Sequence, residues 1–339
     1  MSKLALAMIG VGNWGKNVLR NFASLPNVEL KAICDPAAAN LQRAAALHPG
    51  VPTATDPEAI LASKEIAAVA IATPATTHHG IAKKALEAGK HVFVEKPMAM
   101  SSSEARDLVA AAERAGRVLM VGHLLEYHPA VDKLKELVGS GELGSIRYLY
   151  SQRVNLGVVR KDENAWWSLA PHDISIALYL IGKEPVSVAA RGASFLNKGI
   201  EDVVFANLAF EGGVTAQVHV SWLDPHKLRK FTIVGSKKMV TFDDGDSTEK
   251  VRVYDKGADV SLSYETYGES ITLRSGDIVI PRIDSVEPLK VECAHFVDCA
   301  IANRPPRSDG NDGLRVVRVL EAGQRSLEQG GAPISLREP

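Results

Sequence analysis

Between residue 3 and about residue 122, short apolar runs alternate with stretches of helical periodicity, and this alternation restricts the chain more than any other feature. The runs are Leu4 to Ile9, Val28 to Cys34, Ala67 to Ala72, His91 to Val94 and Val118 to Val121. Strands separated by helices of this length pair through right-handed crossovers, which lay them parallel. Residues 1–122 therefore read as an α/β, doubly wound Rossmann domain with a parallel sheet.

After a helix expected over Pro129 to Val138, the segment Gly139-Ser140-Gly141-Glu142-Leu143-Gly144 gathers glycines and breaks the pattern. Alternating or β-branched runs then follow one another: Ile146 to Val154, Val186 to Ala193, Val203 to Phe210, Val214 to Trp222, Arg229 to Val234, Met239 to Phe242 and Lys250 to Tyr254. They predict an α+β domain over 123–339 built on a large, mainly antiparallel open sheet. Its helices are expected over 171–182, Leu289 to Ala302 and Gly310 to Glu328, the last two free to pack back on the first domain. Gly257 to Val286 reads as strands and loops.

A chain of 339 residues is long for one core, and 46% hydrophobic residues suffice for two. The net charge of -1 offers no field for nucleic acid or an anionic membrane, so small-molecule partners are expected. No run approaches a membrane span, and Leu4 to Ile9 leads straight into glycines, as a strand does and a signal peptide does not. Three cysteines, Cys34, Cys293 and Cys299, lack the paired short spacing of a zinc site and are too few for a secreted disulfide framework. A reducing cytoplasm is the expected compartment.

The first strand ends in Gly10-Val11-Gly12-Asn13-Trp14-Gly15. Three glycines so spaced arise by accident in about one in ten chains of this length, so the context carries the weight. Here a strand precedes them, a helix is expected from Asn13 onward, and Asp35 ends the second strand twenty residues after Gly15. Gly10 permits the turn, Gly12 lets the backbone approach a pyrophosphate, and Gly15 lets helix pack on strand. Asp35 can accept from both ribose hydroxyls and would repel a 2'-phosphate. No arginine follows in Pro36-Ala37-Ala38-Ala39, so NAD(H) is favoured over NADP(H). Thr73-Pro74 ends a strand on the same face and walls the nicotinamide ribose, with His78 just beyond. No metal is expected from His78 and His79, because adjacent helical residues point about 100 degrees apart.

Glu95-Lys96-Pro97 follows the apolar strand at His91 to Val94. A lysine at the carboxyl end of a parallel strand points into the crevice where such sheets bind ligands, which makes Lys96 the first catalytic candidate, with Glu95 beside the cofactor. Gly122-His123-Leu124-Leu125-Glu126-Tyr127-His128-Pro129 follows the last strand of the first domain, where His123 can meet the cofactor and Tyr127 the substrate.

The glycine loop, Asp35, Thr73-Pro74 with His78, the run from Ala88 through Glu95-Lys96-Pro97, and His295-Phe296-Val297-Asp298 together resemble the Gfo/Idh/MocA family almost end to end. That resemblance implies that Lys96 contacts the reacting hydroxyl. It also implies an aspartate and a histidine four residues apart at the start of a substrate-domain helix. His172 matches that histidine, but Ser168 stands where the aspartate is usual, with Asp173 adjacent to His172. The chemistry of the side chains agrees: an imidazole titrating near 6.5 can take the carbinol proton, while Lys96 holds the alkoxide-like oxygen.

Between Gln152 and Trp167 polar and aromatic residues crowd together, among them Arg153, Asn155, Arg160 and Trp167. Arginine forks suit a diphosphate and indole faces suit a pyranose or base. With Pro171-His172-Asp173-Ile174-Ser175, the stretch looks like the family branch acting on nucleotide sugars. This resemblance implies NAD-dependent oxidation at C3 of a UDP-N-acetylhexosamine such as UDP-N-acetylglucosamine, giving a 3-keto sugar that a downstream aminotransferase can trap. The alternatives are a UDP-N-acetylglucosaminuronate, whose carboxylate would call on Arg153, Arg160 or Lys227, and a free sugar or inositol. From a different class, a non-catalytic NAD-binding redox sensor stays open because Ser168 replaces the aspartate. The resemblance further implies a homodimer or homotetramer built on the outer face of the open sheet.

Overall fold

The computed structural model describes residues 3–157, 159–261 and 270–337. In chain order the elements are β1 (Leu4–Ile9), α1 (Gly15–Ala23), β2 (Val28–Cys34), α2 (Ala38–Leu47), β3 (Thr53–Ala54), α3 (Glu58–Ala62), β4 (Ala68–Ile71), α4 (His78–Glu87), β5 (His91–Glu95), α5 (Ser102–Ala115) and β6 (Leu119–Gly122). There follow α6 (Pro129–Gly139), β7 (Ile146–Val154), α7 (Ala165–Ile181), β8 (Pro185–Ala193), β9 (Val203–Phe210), β10 (Thr215–Ser221), β11 (Leu228–Gly235), β12 (Met239–Asp243), β13 (Val251–Ser261), β14 (Ser270–Val279), α8 (Pro288–Ala302), α9 (Gly310–Glu328) and β15 (Ile334–Ser335). Among the described residues no helix is long and apolar enough to cross a membrane.

The first compact unit is Met1–Tyr127 with Val286–Glu321. Its six strands are all parallel, in the order β3-β2-β1-β4-β5-β6. β4 is buried along its whole length, as a strand covered on both faces must be. The strand order reverses between β1 and β4, and the carboxyl ends beside such a switch point are where doubly wound sheets take ligands. The glycine loop leaves β1 there, Thr73 follows β4, and Glu95 ends β5.

This unit also takes in α8 and the start of α9, the two helices that the sequence left free to pack back on the first domain. Phe296 of α8 meets Phe22 of α1 and Phe93 of β5 edge-on, each centroid 5.8 Å away, and those two rings lie 5.5 Å apart. All three rings are fully buried. Such aromatic pairs contribute about 0.5–1.5 kcal/mol each beyond the area they bury, and no local periodicity announces them.

The second unit comprises His128–Ser285 and Ala322–Pro339. Its nine strands run β14-β13-β12-β11-β7-β10-β9-β8-β15. Every neighbouring pair is antiparallel except β7 with β10. One face is covered by α7, which packs on β7, β9 and β10. Ala216, Val218 and Val220 alternate as the buried positions of β10, the period-two pattern of a sheet covered on one side. On the other face Tyr148 and Tyr150 stack at 6.4 Å, and Phe205 stacks on His219 at 4.2 Å.

Two local readings change, and a third stands over its described residues. α7 begins at Ala165 rather than at 171, because Asn164 caps it, accepting from the Trp167 amide at 3.1 Å. Pro171 thus lies inside the helix, a placement that costs about 3 kcal/mol in an ordinary interior. The near-total burial of α7 offsets it. α1 begins at Gly15 rather than Asn13, with Trp14 at its cap. Within Gly257 to Val286, β13 pairs antiparallel with β14, while residues 262–269 lie outside the described ones.

Candidate active site

Each glycine of the first loop is required for a different reason. Gly10 sits at φ 90, and a Cβ there would approach the Ala72 carbonyl oxygen to 2.6 Å; at Gly15 it would meet the Gly10 oxygen at 2.1 Å. A Cβ at Gly12 would meet nothing within 4 Å. Gly10 and Gly15 therefore let β1, β4 and α1 pack, while Gly12 faces open space where a pyrophosphate fits against the helix amides.

Asp35, at the end of β2, accepts from the Val11 amide at 2.8 Å through one oxygen, and from the Ala37 amide at 2.9 Å and Asn40 Nδ2 at 3.0 Å through the other. A carboxylate offers about four acceptor sites, so three used leave capacity for a ribose hydroxyl. These residues fit NAD. Asn40 was not evident in the sequence; no motif marks a side chain that turns back five residues to steady an aspartate.

Glu95 is buried at the end of β5. Its carboxyl accepts the Trp14 indole N–H at 2.6 Å and, through the other oxygen, the Lys96 amide at 3.3 Å. Burial pushes this carboxyl above its usual range, against the pull of the indole donor and the Lys96 charge. Gly122 makes room for it, since a Cβ there would come within 3.0 Å of Glu95 Oε2. Trp14 stays 43% exposed, and Lys96 is half-buried.

His78, only 1% exposed, places one ring nitrogen 2.8 Å from the Pro97 carbonyl and the other 2.9 Å from the Thr73 carbonyl. Burial lowers its pKa. Both nitrogens face backbone, so His78 ties the Thr73-Pro74 turn to the segment after Lys96 and has no edge left for a cofactor, contrary to the sequence expectation. His79 turns instead to Asp107, at 2.8 Å. His123 is also enclosed, its Nδ1 2.7 Å from Asp312 Oδ2. Burial alone would lower its pKa, but Asp312 and Glu126 outweigh that and lift it to about 10. Tyr127 is buried with its hydroxyl 3.1 Å from Ser308 Oγ, so both residues brace the end of β6 rather than project outward.

In the second unit His172 is half-buried in α7 and Ser168 is buried, as is Asp173. Asp173 takes a forked pair from Arg153, with Nε at 2.7 Å and Nη2 at 3.3 Å. Burial raises the Asp173 pKa in spite of this partner. Two residues expected to bind substrate therefore hold each other. Arg160 pairs with Glu163 at 2.8 Å. Asn155 follows β7 half-buried, and Trp167 is largely covered. Trp166 is wholly core, its indole so close to Gly323 that a Cβ there would come within 2.5 Å.

Residues 4–123 match a family described as oxidoreductases with an NAD-binding Rossmann fold, and residues 131–241 match the GFO/IDH/MocA C-terminal domain. UDP-N-acetylglucosamine 3-dehydrogenase of Acidithiobacillus ferrooxidans is 27% identical over 319 residues, covering 94% of this chain and 95% of that one. A crystal structure of that dehydrogenase is similar with a TM-score of 0.81 at 26% identity, over 97% of this chain and 99% of the other. An NAD(+)-dependent scyllo-inositol 2-dehydrogenase of Bacillus subtilis is 28% identical over 231 residues, 65% of this chain and 68% of that one.

Proposed function

Because the chain belongs to the GFO/IDH/MocA family of NAD-binding oxidoreductases, we propose that it oxidises the C3 hydroxyl of a UDP-N-acetylhexosamine, such as UDP-N-acetylglucosamine, to a ketone. The coarser statement stands by itself: this is an NAD-dependent dehydrogenase of sugar-like alcohols. Bound NAD supplies the hydride acceptor. His172 takes the carbinol proton, and Lys96 stabilises the negative charge that grows on the oxygen. The single observation that supports the substrate assignment is the similarity to UDP-N-acetylglucosamine 3-dehydrogenase over 94% of this chain and 95% of that one.

The uronate alternative loses support from the ion pairs. Of the three cations that could meet an extra carboxylate, Arg153 is forked onto Asp173 and Arg160 is held by Glu163, which leaves the exposed Lys227. The aromatic outer face of the open sheet supports the homodimer or homotetramer, and a reducing cytoplasm suits the buried free cysteines.

The test is reduced-nicotinamide absorbance with NAD and UDP-N-acetylglucosamine, in the presence of an aminotransferase that traps the 3-keto product. Signal that requires this sugar supports the assignment. Signal with the uronate alone, or with a free sugar alone, transfers it to that alternative, and NAD binding without reduction by any of them points to the sensor. Lys96→Met and His172→Ala should each lower kcat by about 10²- to 10⁴-fold while NAD still binds.

A further inference from the structure

We propose that His123, Glu126 and Asp312 form a binding site for a divalent transition-metal cation of the zinc class, a site that the dehydrogenase chemistry does not use. His123 directly follows β6, Glu126 lies in the short 3-10 turn Leu124–Tyr127, and Asp312 lies in the first turn of α9. One ligand atom from each residue falls within 4.8 Å of the others, and all three residues are buried. Two carboxylates and an imidazole suit Zn²⁺ better than the all-oxygen cations.

The separations fit such an ion. Zinc bonds of 2.0–2.2 Å in a tetrahedral arrangement place neighbouring ligand atoms roughly 3.3 Å apart. His123 Nδ1 lies 3.4 Å from Glu126 Oε1, and 2.7 Å from Asp312 Oδ2, which would open by a few tenths of an ångström on binding. The other Asp312 oxygen is turned to Arg315, 3.7 Å away, which leaves Oδ2 for the site.

A second observation points to a ligand independently of this clustering. Both oxygens of Glu126 are buried and neither receives a hydrogen bond. The nearest cationic atom, His123 Nδ1, is 3.4 Å from Glu126 Oε1 and closer to Asp312 Oδ2, at 2.7 Å, so its contact with Glu126 is the weaker of the two. An orphaned carboxyl in a dry interior is costly unless paired or bound to a metal. Glu292 of α8 is equally buried and equally without a donor, and burial, then the Glu95 charge, raises its pKa well above the usual carboxylate range. A cation held there would join the end of β6 to α9, exchanging with protons that the cluster otherwise keeps.

The experiment is metal analysis of the purified chain by plasma mass spectrometry, before and after chelator treatment and then after refolding with Zn²⁺ or Mg²⁺. About one zinc per chain, saturable uptake on refolding, and a melting temperature that rises with Zn²⁺ but not Mg²⁺ are expected. Glu126→Gln, and separately Asp312→Asn, should weaken zinc uptake by about tenfold or more, with far-UV circular dichroism confirming that each variant is folded. A wild-type chain that takes up no zinc in either preparation overturns the proposal, as does uptake unchanged in both folded variants. If neither variant folds, the wild-type refolding result decides. None of these readouts depends on turnover.

Discussion

Trp14 donates its indole N–H to Glu95 Oε1 at 2.6 Å, so the glycine loop after β1 is latched to the residue that precedes Lys96 at the end of β5. The two positions are 81 residues apart in sequence. The same glutamate accepts the Lys96 amide, so one buried carboxyl fixes both the cofactor loop and the backbone of the catalytic candidate.

Replacing Trp14 with Phe keeps a ring and removes the donor. Glu95 is then left short of a partner, at a cost of about 1–3 kcal/mol for an unsatisfied buried group. The melting temperature should fall and the Kd for NAD, read by calorimetry, should rise several-fold. A variant that matches wild type in both measurements removes the latch from the account.

Asp35 should set the cofactor preference. Asp35→Asn exchanges an acceptor oxygen for a donor that would face the Val11 or Ala37 amide, so NAD affinity should drop by about tenfold or more and stability should fall. Asp35→Ser combined with Ala38→Arg removes the repulsion of a 2'-phosphate and adds a cation at an exposed position. The ratio of kcat/KM for NADP over NAD should then rise; an unchanged ratio would count against Asp35 as the ribose ligand.

Breaking the Arg153–Asp173 fork from one side should be worse than removing both charges. Arg153→Met strands a buried carboxylate, at a cost of about 3–5 kcal/mol, whereas Arg153→Met with Asp173→Leu should recover most of that. Burial already raises the Asp173 pKa, and loss of the guanidinium raises it further. The folded variant therefore binds a proton more readily than the unfolded chain, and its deficit should be largest at neutral pH and shrink towards pH 4. Urea unfolding at several pH values measures this, and a deficit independent of pH would contradict it.

His91 should impose an acid sensitivity of opposite origin. Its ring nitrogens meet the Val118 amide at 3.1 Å and Arg117 at 3.3 Å, and burial, then the Arg117 charge, lowers its pKa to about 4. The unfolded chain thus takes up the proton first, and stability falls as pH drops from about 6.5 towards 4. After allowance for solvent screening the loss is on the order of 1–2 kcal/mol. His91→Asn can still accept from Val118 and cannot titrate, so the wild-type-minus-variant difference should vanish at low pH as wild type loses this contribution. Parallel stability curves for the two proteins would refute the assignment.

Much of the first unit was legible because its determinants are local. The runs at Leu4 to Ile9 and Val28 to Cys34 are the observed β1 and β2, and Gly10 and Gly15 are glycines for steric reasons that spacing alone predicts. The start of α7 is not legible locally, because Pro171 is a strong stop signal while the Asn164 cap and the burial of Trp166 act through the packed unit. His78, His123 and Tyr127 are polar residues that follow strands β4 and β6 in chain order, and nothing in the sequence shows that their polar atoms are committed to Thr73, Pro97, Asp312 and Ser308.

Sequence by itself determined the period of most elements, the parallel doubly wound character of the first unit and the residue types at the candidate cofactor and proton-transfer positions, since periodicity and backbone sterics act over a few residues. Only the tertiary structure decided which polar groups remain available. Asp312 reaches His123 across 189 positions, Ser308 reaches Tyr127 across 181, and Asp173 claims the charge of Arg153. The reason is physical: a buried donor or acceptor is satisfied by whatever the fold brings within about 3 Å, and that distance bears no relation to separation along the chain.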